Sequence, residues 1–173
     1  MPRKYDTAKN PILNNPYEEP FLYYDTDMDG NLDYSHVIDG RRPFTTSIDI
    51  VPKHQDQMQM FGGSDFEDAD PNAAFINEIR SQVKKWRENN YNGVTRVTRE
   101  LLNYWFKNPE RQWHLQLFFC QREAIETAIY LNEVADLDPN IGRDLLRQLN
   151  EKVATVSDDP QFVLPRTAFK MAT

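Results

Sequence analysis

Three stretches of the sequence carry residue types and spacings that could do chemistry. In Asp25-Thr26-Asp27-Met28-Asp29-Gly30-Asn31-Leu32-Asp33-Tyr34-Ser35-His36, carboxylates stand at loop positions 1, 3, 5 and 9, with glycine at 6 and an aliphatic at 8. That is the opening of an EF-hand calcium loop. Position 12 breaks it, because His36 offers a nitrogen where hard calcium takes a bidentate carboxylate. Pro16, Pro20 and Pro43 also crowd both flanks, where an EF-hand carries helices. An acidic β-turn, in which Asp and Gly meet backbone demands, accounts for Asp25–Asp33 better than a calcium module does. The second stretch, Leu117-Phe118-Phe119-Cys120-Gln121, leads aromatics into a helix that begins near a glutamine. A carboxamide there has the donor and acceptor needed to read an adenine edge, although a glutamine at a helix start can also simply cap it. The third runs from Glu78 to Arg111, with eight basic residues against four glutamates. Its Lys84, Lys85, Arg96 and Arg99 are candidate DNA contacts, with Trp86, Tyr91, Trp105 and Phe106 interleaved. Helical spacing of those aromatics favours a solvated face with the rings in the core.

The elements that must position these groups divide the chain. Of its 173 residues, 1–70 carry 6 basic and 14 acidic side chains, and 71–173 carry 14 and 13. The net charge of −7 therefore belongs to the first part alone. Residues 1–70 also hold six of the eleven prolines, in pairs such as Asn10-Pro11 and Arg42-Pro43. Long helices are not expected there, and Tyr17, Phe21, Tyr23, Tyr24, Tyr34, Phe44 and Ile48 point to extended, turn-rich chain seeking a partner. Residues 52–69, with Gly62-Gly63-Ser64 and an acidic run, read as a linker.

From 71 onward the pattern is helical. Asp70-Pro71 opens a helix whose apolar stripe is Phe75, Ile79, Val83 and Trp86, and Asn89–Gly93 ends it. A second helix is expected from about Thr95 to Phe106, with Val97, Leu101, Leu102 and Trp105 inward, stopped by Lys107-Asn108-Pro109. A third covers roughly Phe119–Ala135, with Ile125, Ala128, Ile129 and Leu131 inward and Glu123, Glu126 and Glu133 outward. A fourth is expected near 141–153 around Leu145, Leu146 and Leu149, and Val163–Met171 reads as a short strand. The expected fold class is mainly α, with an extended, turn-rich N-terminal arm and a short C-terminal strand. Cys120 is the one cysteine, so no disulfide framework exists, and three scattered histidines make no metal cluster. No apolar run reaches the ~18–20 residues of a membrane span. A cytoplasmic protein without a membrane role is expected.

The residues from Tyr91 to Val134 also carry a resemblance. Asn92-Gly93-Val94-Thr95-Arg96-Val97-Thr98-Arg99-Glu100-Leu101-Leu102-Asn103-Tyr104-Trp105-Phe106 and Phe118-Phe119-Cys120-Gln121-Arg122-Glu123-Ala124-Ile125-Glu126-Thr127-Ala128-Ile129 resemble the beginning of the helicase-like Res subunits of type III restriction endonucleases. These belong to superfamily 2. Pro16-Tyr17-Glu18-Glu19-Pro20 and Gly40-Arg41-Arg42-Pro43 look like the N-terminal arm of that group. The resemblance covers nearly the whole chain and is clearest over 91–135 and 163–173. It implies the N-terminal piece of an α/β RecA-like motor domain at 71–173, preceded by the arm at 1–70. It also implies that Gln121 reads adenine, with Phe118 or Phe119 as neighbour. In that family Phe169-Lys170-Met171-Ala172-Thr173 would run into Gly-x-Gly-Lys-Thr, so Ala172 and Thr173 would open the phosphate loop. ATP and Mg would be cofactors of the complete protein, and double-stranded DNA and a DNA-modification subunit its partners. The phosphate-loop lysine lies beyond Thr173, so the chain alone is expected to be inactive as an enzyme and to bind no cofactor tightly. Two other classes compete: a stand-alone interaction module or gene remnant without ATPase activity, and the calcium module at Asp25–Asp33.

Overall fold

The computed structural model describes residues 12–26, 31–45 and 71–154. The linker expected at 52–69, the cap at Asp70 and the strand at 163–171 lie outside these. The described chain is mainly helical with one two-stranded sheet. It divides into two compact units, Met1–Asn77 and Glu78–Thr173.

In the first unit, the extended chain pairs with itself. Strands β1 (Leu22–Thr26) and β2 (Leu32–Asp39) run antiparallel, with Leu22 opposite Asp39 and Tyr24 opposite Val37. The register then jumps, and Asp25 faces Asp33. Three residues of β2 are passed over at this bulge, and one of them, Tyr34, sets its ring edge-on to Tyr24 at 5.0 Å. Asn14 completes the hairpin's open edge. Its Oδ1 accepts from the Phe21 and Leu22 amides, and its Nδ2 donates to the Leu22 carbonyl at 2.8 Å. Leu22 is thereby held in the core, 2% exposed. Past β2, Phe44 exchanges two hydrogen bonds with the Asn77 carboxamide, at 2.8 and 2.9 Å.

Helix α1 (Pro71–Glu88) buries Phe75, Val83 and Trp86 of the expected stripe. It ends in a Schellman arrangement: the Tyr91 amide bonds the Trp86 carbonyl and the Asn90 amide bonds the Arg87 carbonyl, both at 3.1 Å. Asn90 takes the left-handed position at φ 59°, and the Trp86 and Tyr91 rings make the accompanying apolar contact at 4.9 Å. Helix α2 (Arg96–Phe106) is capped by Thr95, whose hydroxyl accepts from the Thr98 amide. Of its expected inward face Leu102 is buried, together with Thr98, whereas Val97 and Leu101 are 66% and 42% exposed. The reason is Glu133. Its carboxylate accepts from the Thr98 hydroxyl and the Thr95 amide, which fixes the helix's rotation by its polar end. These bonds, the Thr98 one foremost, hold the Glu133 carboxyl below its usual range.

Asn108-Pro109 stops α2 but also starts a short helix that the sequence reading lacked, α3 (Pro109–His114), with Asn108 as cap and Pro109 in its first turn. The expected third helix is composite. It is α-helical as α4 (Phe119–Ile129), widens to a π turn over Tyr130–Val134, and tightens to a 3-10 turn over Ala135–Leu137. Asp138 then accepts the Asn140 and Ile141 amides and opens α5 (Ile141–Ala154), where Leu145 is buried.

Candidate functional site

The second unit is organised around a carboxylate that the sequence reading put in solvent. Glu126 has no exposed surface. Phe119 and Tyr130, seven residues before and four after it, are buried on the same face of the helix, so that face points into the core. Its Oε1 accepts from the Tyr91 hydroxyl at 2.6 Å and from Arg122 Nε at 2.8 Å. Its Oε2 accepts from Arg87 Nε at 2.8 Å and lies 2.6 Å from Arg87 Nη2. Arg122 Nη2 also donates to the Tyr91 hydroxyl at 2.8 Å. Both guanidiniums lie over rings, Arg87 5.1 Å from the Phe119 centroid and Arg122 4.9 Å from that of Phe106. Ionic hydrogen bonds and ring faces replace the water that these charges lose.

This cluster ties the α1–α2 turn to α4 through Tyr91. That residue sits at φ 57°, where a bulky side chain costs about 1–3 kcal/mol. The Glu126 bond, the Schellman bond and a Trp86 Nε1 bond to the Asn92 carbonyl at 2.8 Å hold it there. Burial, then the neighbouring Glu126 charge, pushes the Tyr91 hydroxyl up to about 12. A raised tyrosine pKa gives stability that is complete below the unfolded value near 10 and is lost as pH rises through about 12. We expect roughly 2–3 kcal/mol to disappear across that window. Tyr130, raised by its own burial and then by Asp138 and Glu78, adds a second contribution of the same sign. Urea midpoints measured from pH 9 to 12 should fall, and Tyr91→Phe should flatten the fall without abolishing it. An unchanged slope in that variant would remove Tyr91 as its source.

Beside the turn is a small cavity of about 150 Å³, lined by Asn90, Tyr91, Arg99, Leu102, Asn103 and Lys107. Lys107 donates to Asn90 Oδ1 at 2.6 Å and stands 6.0 Å from the centre of the Tyr91 ring. Sequence reasoning missed Asn90, Asn103 and Lys107 as a group. The signal for Asn103 and Lys107 was their four-residue repeat with Arg99, which lines them up along α2 and its C-cap, whereas nothing in the sequence pointed to Asn90.

The candidates from the sequence fall as follows. Lys84 and Lys85 are exposed on α1, and Arg96 and Arg99 on α2. Arg96 pairs with Glu100 one turn on, at 2.9 Å. Gln121 is exposed at the start of α4, where its Oε1 accepts the Phe118 amide at 3.1 Å, the glutamine half of a capping box. Phe118 is 45% exposed, whereas Phe119 is buried beneath Arg87. Ala172 and Thr173 lie outside the described residues, as do Asp27, Asp29 and Gly30. Of the calcium-like loop, Asp25 and Asp33 belong to paired strands where an EF-hand has helices. Asp33 accepts from the Ser35 hydroxyl and amide, which hold its carboxyl below the usual range. Among the described residues, no three His, Cys, Asp or Glu side chains gather as a metal site would require. No described helix is long and apolar enough to cross a membrane. No family model, curated protein or solved structure matches the chain.

Proposed function

We propose that this chain is the N-terminal segment of an ATP-dependent, DNA-translocating subunit of a type III-like restriction endonuclease, without ATPase activity of its own. The resemblance over 91–135 and 163–173 supplies the class. The observation that carries the reading is the exposure of Lys84, Lys85, Arg96 and Arg99 on α1 and α2, ahead of Gln121 in the chain. Four exposed cations there would contact the phosphates of duplex DNA. Gln121 and Phe118, both exposed at the start of α4, are the residues that would face an adenine. The RecA-like sheet, the phosphate loop with its Mg-bound ATP, and the modification subunit belong to the complete protein. Duplex binding measured against salt tests the reading. We expect Lys84→Ala with Lys85→Ala to weaken binding and to lower the slope of log K on log salt by about 2. Salt-insensitive binding, or none, would sink it.

A second reading has its own observation. The described residues of the Glu78–Thr173 unit enclose an ionic cluster in which Glu126 is paired with Arg87, Arg122 and Tyr91, as a self-standing helical module would. Such a module would bind a protein or DNA partner without ATP. An in-frame Gly-x-Gly-Lys-Ser/Thr directly after Thr173 in the coding sequence would decide against it.

A further inference from the structure

We propose that the cavity between the α1–α2 turn and α2 is a binding site for a single phosphate group, held by Arg99, Asn103 and Lys107 with Asn90 opposite. Arg99 and Asn103 of α2 and Lys107 at its C-cap recur every fourth position and so lie along one side of the helix and its end. No carboxylate lines the cavity. Among the described residues, neither the Arg99 guanidinium nor the Asn103 carboxamide has a partner. Lys107 spends one N–H on the neutral Asn90 oxygen, so its charge stays uncancelled and two N–H groups remain for a ligand.

Guanidinium, ammonium and carboxamide donors lining one cavity that holds no carboxylate suit the oxygens of a phosphate. Size sets the ligand's extent. Sites for drug-sized molecules have about 300–1,000 Å³, whereas the volume here is about 150 Å³. One group of roughly benzene size fits; a whole nucleotide does not. The floor of the site is rigid, because Tyr91 is fastened to Glu126 and its backbone closes the α1 cap. Donors on such a floor need little ordering when a ligand arrives. The phosphate could be free or part of a nucleic-acid backbone, and the same donors would serve both. The inference does not depend on the restriction-subunit reading.

Amide NMR titration of the full chain tests it, with sodium phosphate at constant ionic strength against sodium chloride. We expect saturable shifts at Asn90, Arg99, Asn103 and Lys107. Arg99→Gln with Lys107→Gln should weaken them at least about tenfold, with a cooperative urea transition retained. Asn103→Ala, which removes a carboxamide with no hydrogen-bond partner among the described residues, should weaken them about threefold. Absent or linear shifts, or equal affinity in both variants, would overturn the site. A parallel titration with a short DNA duplex separates the sources. Shifts at the same four amides assign a backbone phosphate, and a response to inorganic phosphate alone assigns the free ion. Duplex binding that depends on Lys84 and Lys85, with no response to phosphate, overturns the cavity and leaves the restriction-subunit reading standing. A phosphate response without duplex binding does the opposite.

Discussion

Replacing Glu126 with leucine is expected to cost about 3–5 kcal/mol of stability, although the exchange makes the core more apolar. The carboxylate is the counter-charge of two guanidiniums, and Arg87 and Arg122 side chains are only 12% and 31% exposed. Without it, the described carboxylate left beside Arg87 is that of Glu123, whose Oε1 is 3.9 Å away. The Tyr91 hydroxyl also loses its acceptor at a position where the backbone is already strained. Glutamine restores the shape but not the charge, so Glu126→Gln should be nearly as damaging. The two arginines should differ. Arg87→Met removes the more buried partner and should cost more than Arg122→Met, whose site water already reaches. Apolar replacement of all three together should recover a large part of the single-variant loss, because no charge is then left unpaired. Urea midpoints of the five variants check this, read by fluorescence of Trp86, whose ring lies against Tyr91. If Glu126→Leu unfolds at the wild-type midpoint, the cluster is incidental to the fold.

The helices were legible because their punctuation is local. Asn89–Gly93 contains the αL cap, Thr95 is a capping residue, and Asn108-Pro109 breaks one helix. The rotation of α2 was not legible. Val97, Leu101 and Leu102 make a convincing apolar stripe, but Glu133, some thirty residues later, pins Thr98 and turns the stripe partly to solvent. Glu126 was misread for a related reason. In Arg122-Glu123-Ala124-Ile125-Glu126 it looks like the acidic half of an exposed i,i+4 pair. Its register with Phe119 and Tyr130 said otherwise, and polarity outweighed register in the reading. The compensation that makes burial tolerable comes from Arg87 and Tyr91, which no pattern within α4 could announce. The candidate site divides the same way. Lys84, Lys85, Arg96 and Arg99 were identified by charge alone, whereas the cavity needs Asn90 and Lys107, brought together only by the cap of α1 and the end of α2.

Gly142 makes the second large prediction, and local propensity gives it the wrong sign. It lies in the first turn of α5, where helix propensity still favours alanine over glycine. Here a Cβ would stand 2.0 Å from the Ala135 carbonyl oxygen and 2.8 Å from its carbon. Both are backbone atoms of a residue with no exposed surface, so no side chain can swing aside. The carbonyl is also engaged, since it accepts the Asp138 amide at 3.2 Å and closes the 3-10 turn. Nor can the helix slide freely, because Asp138 caps it and Arg143 Nε bonds the Asp136 carbonyl at 3.0 Å. Relief requires a backbone shift of roughly 1 Å that would draw Leu145 out of the core or break the cap. Gly142→Ala is therefore expected to destabilise the protein by about 3 kcal/mol. Serine should be at least as costly, since it carries the same Cβ. A lower urea midpoint for Gly142→Ala, with helical circular dichroism retained below it, is the expected result. A midpoint at or above wild type would mean that α5 does not approach Ala135 this closely.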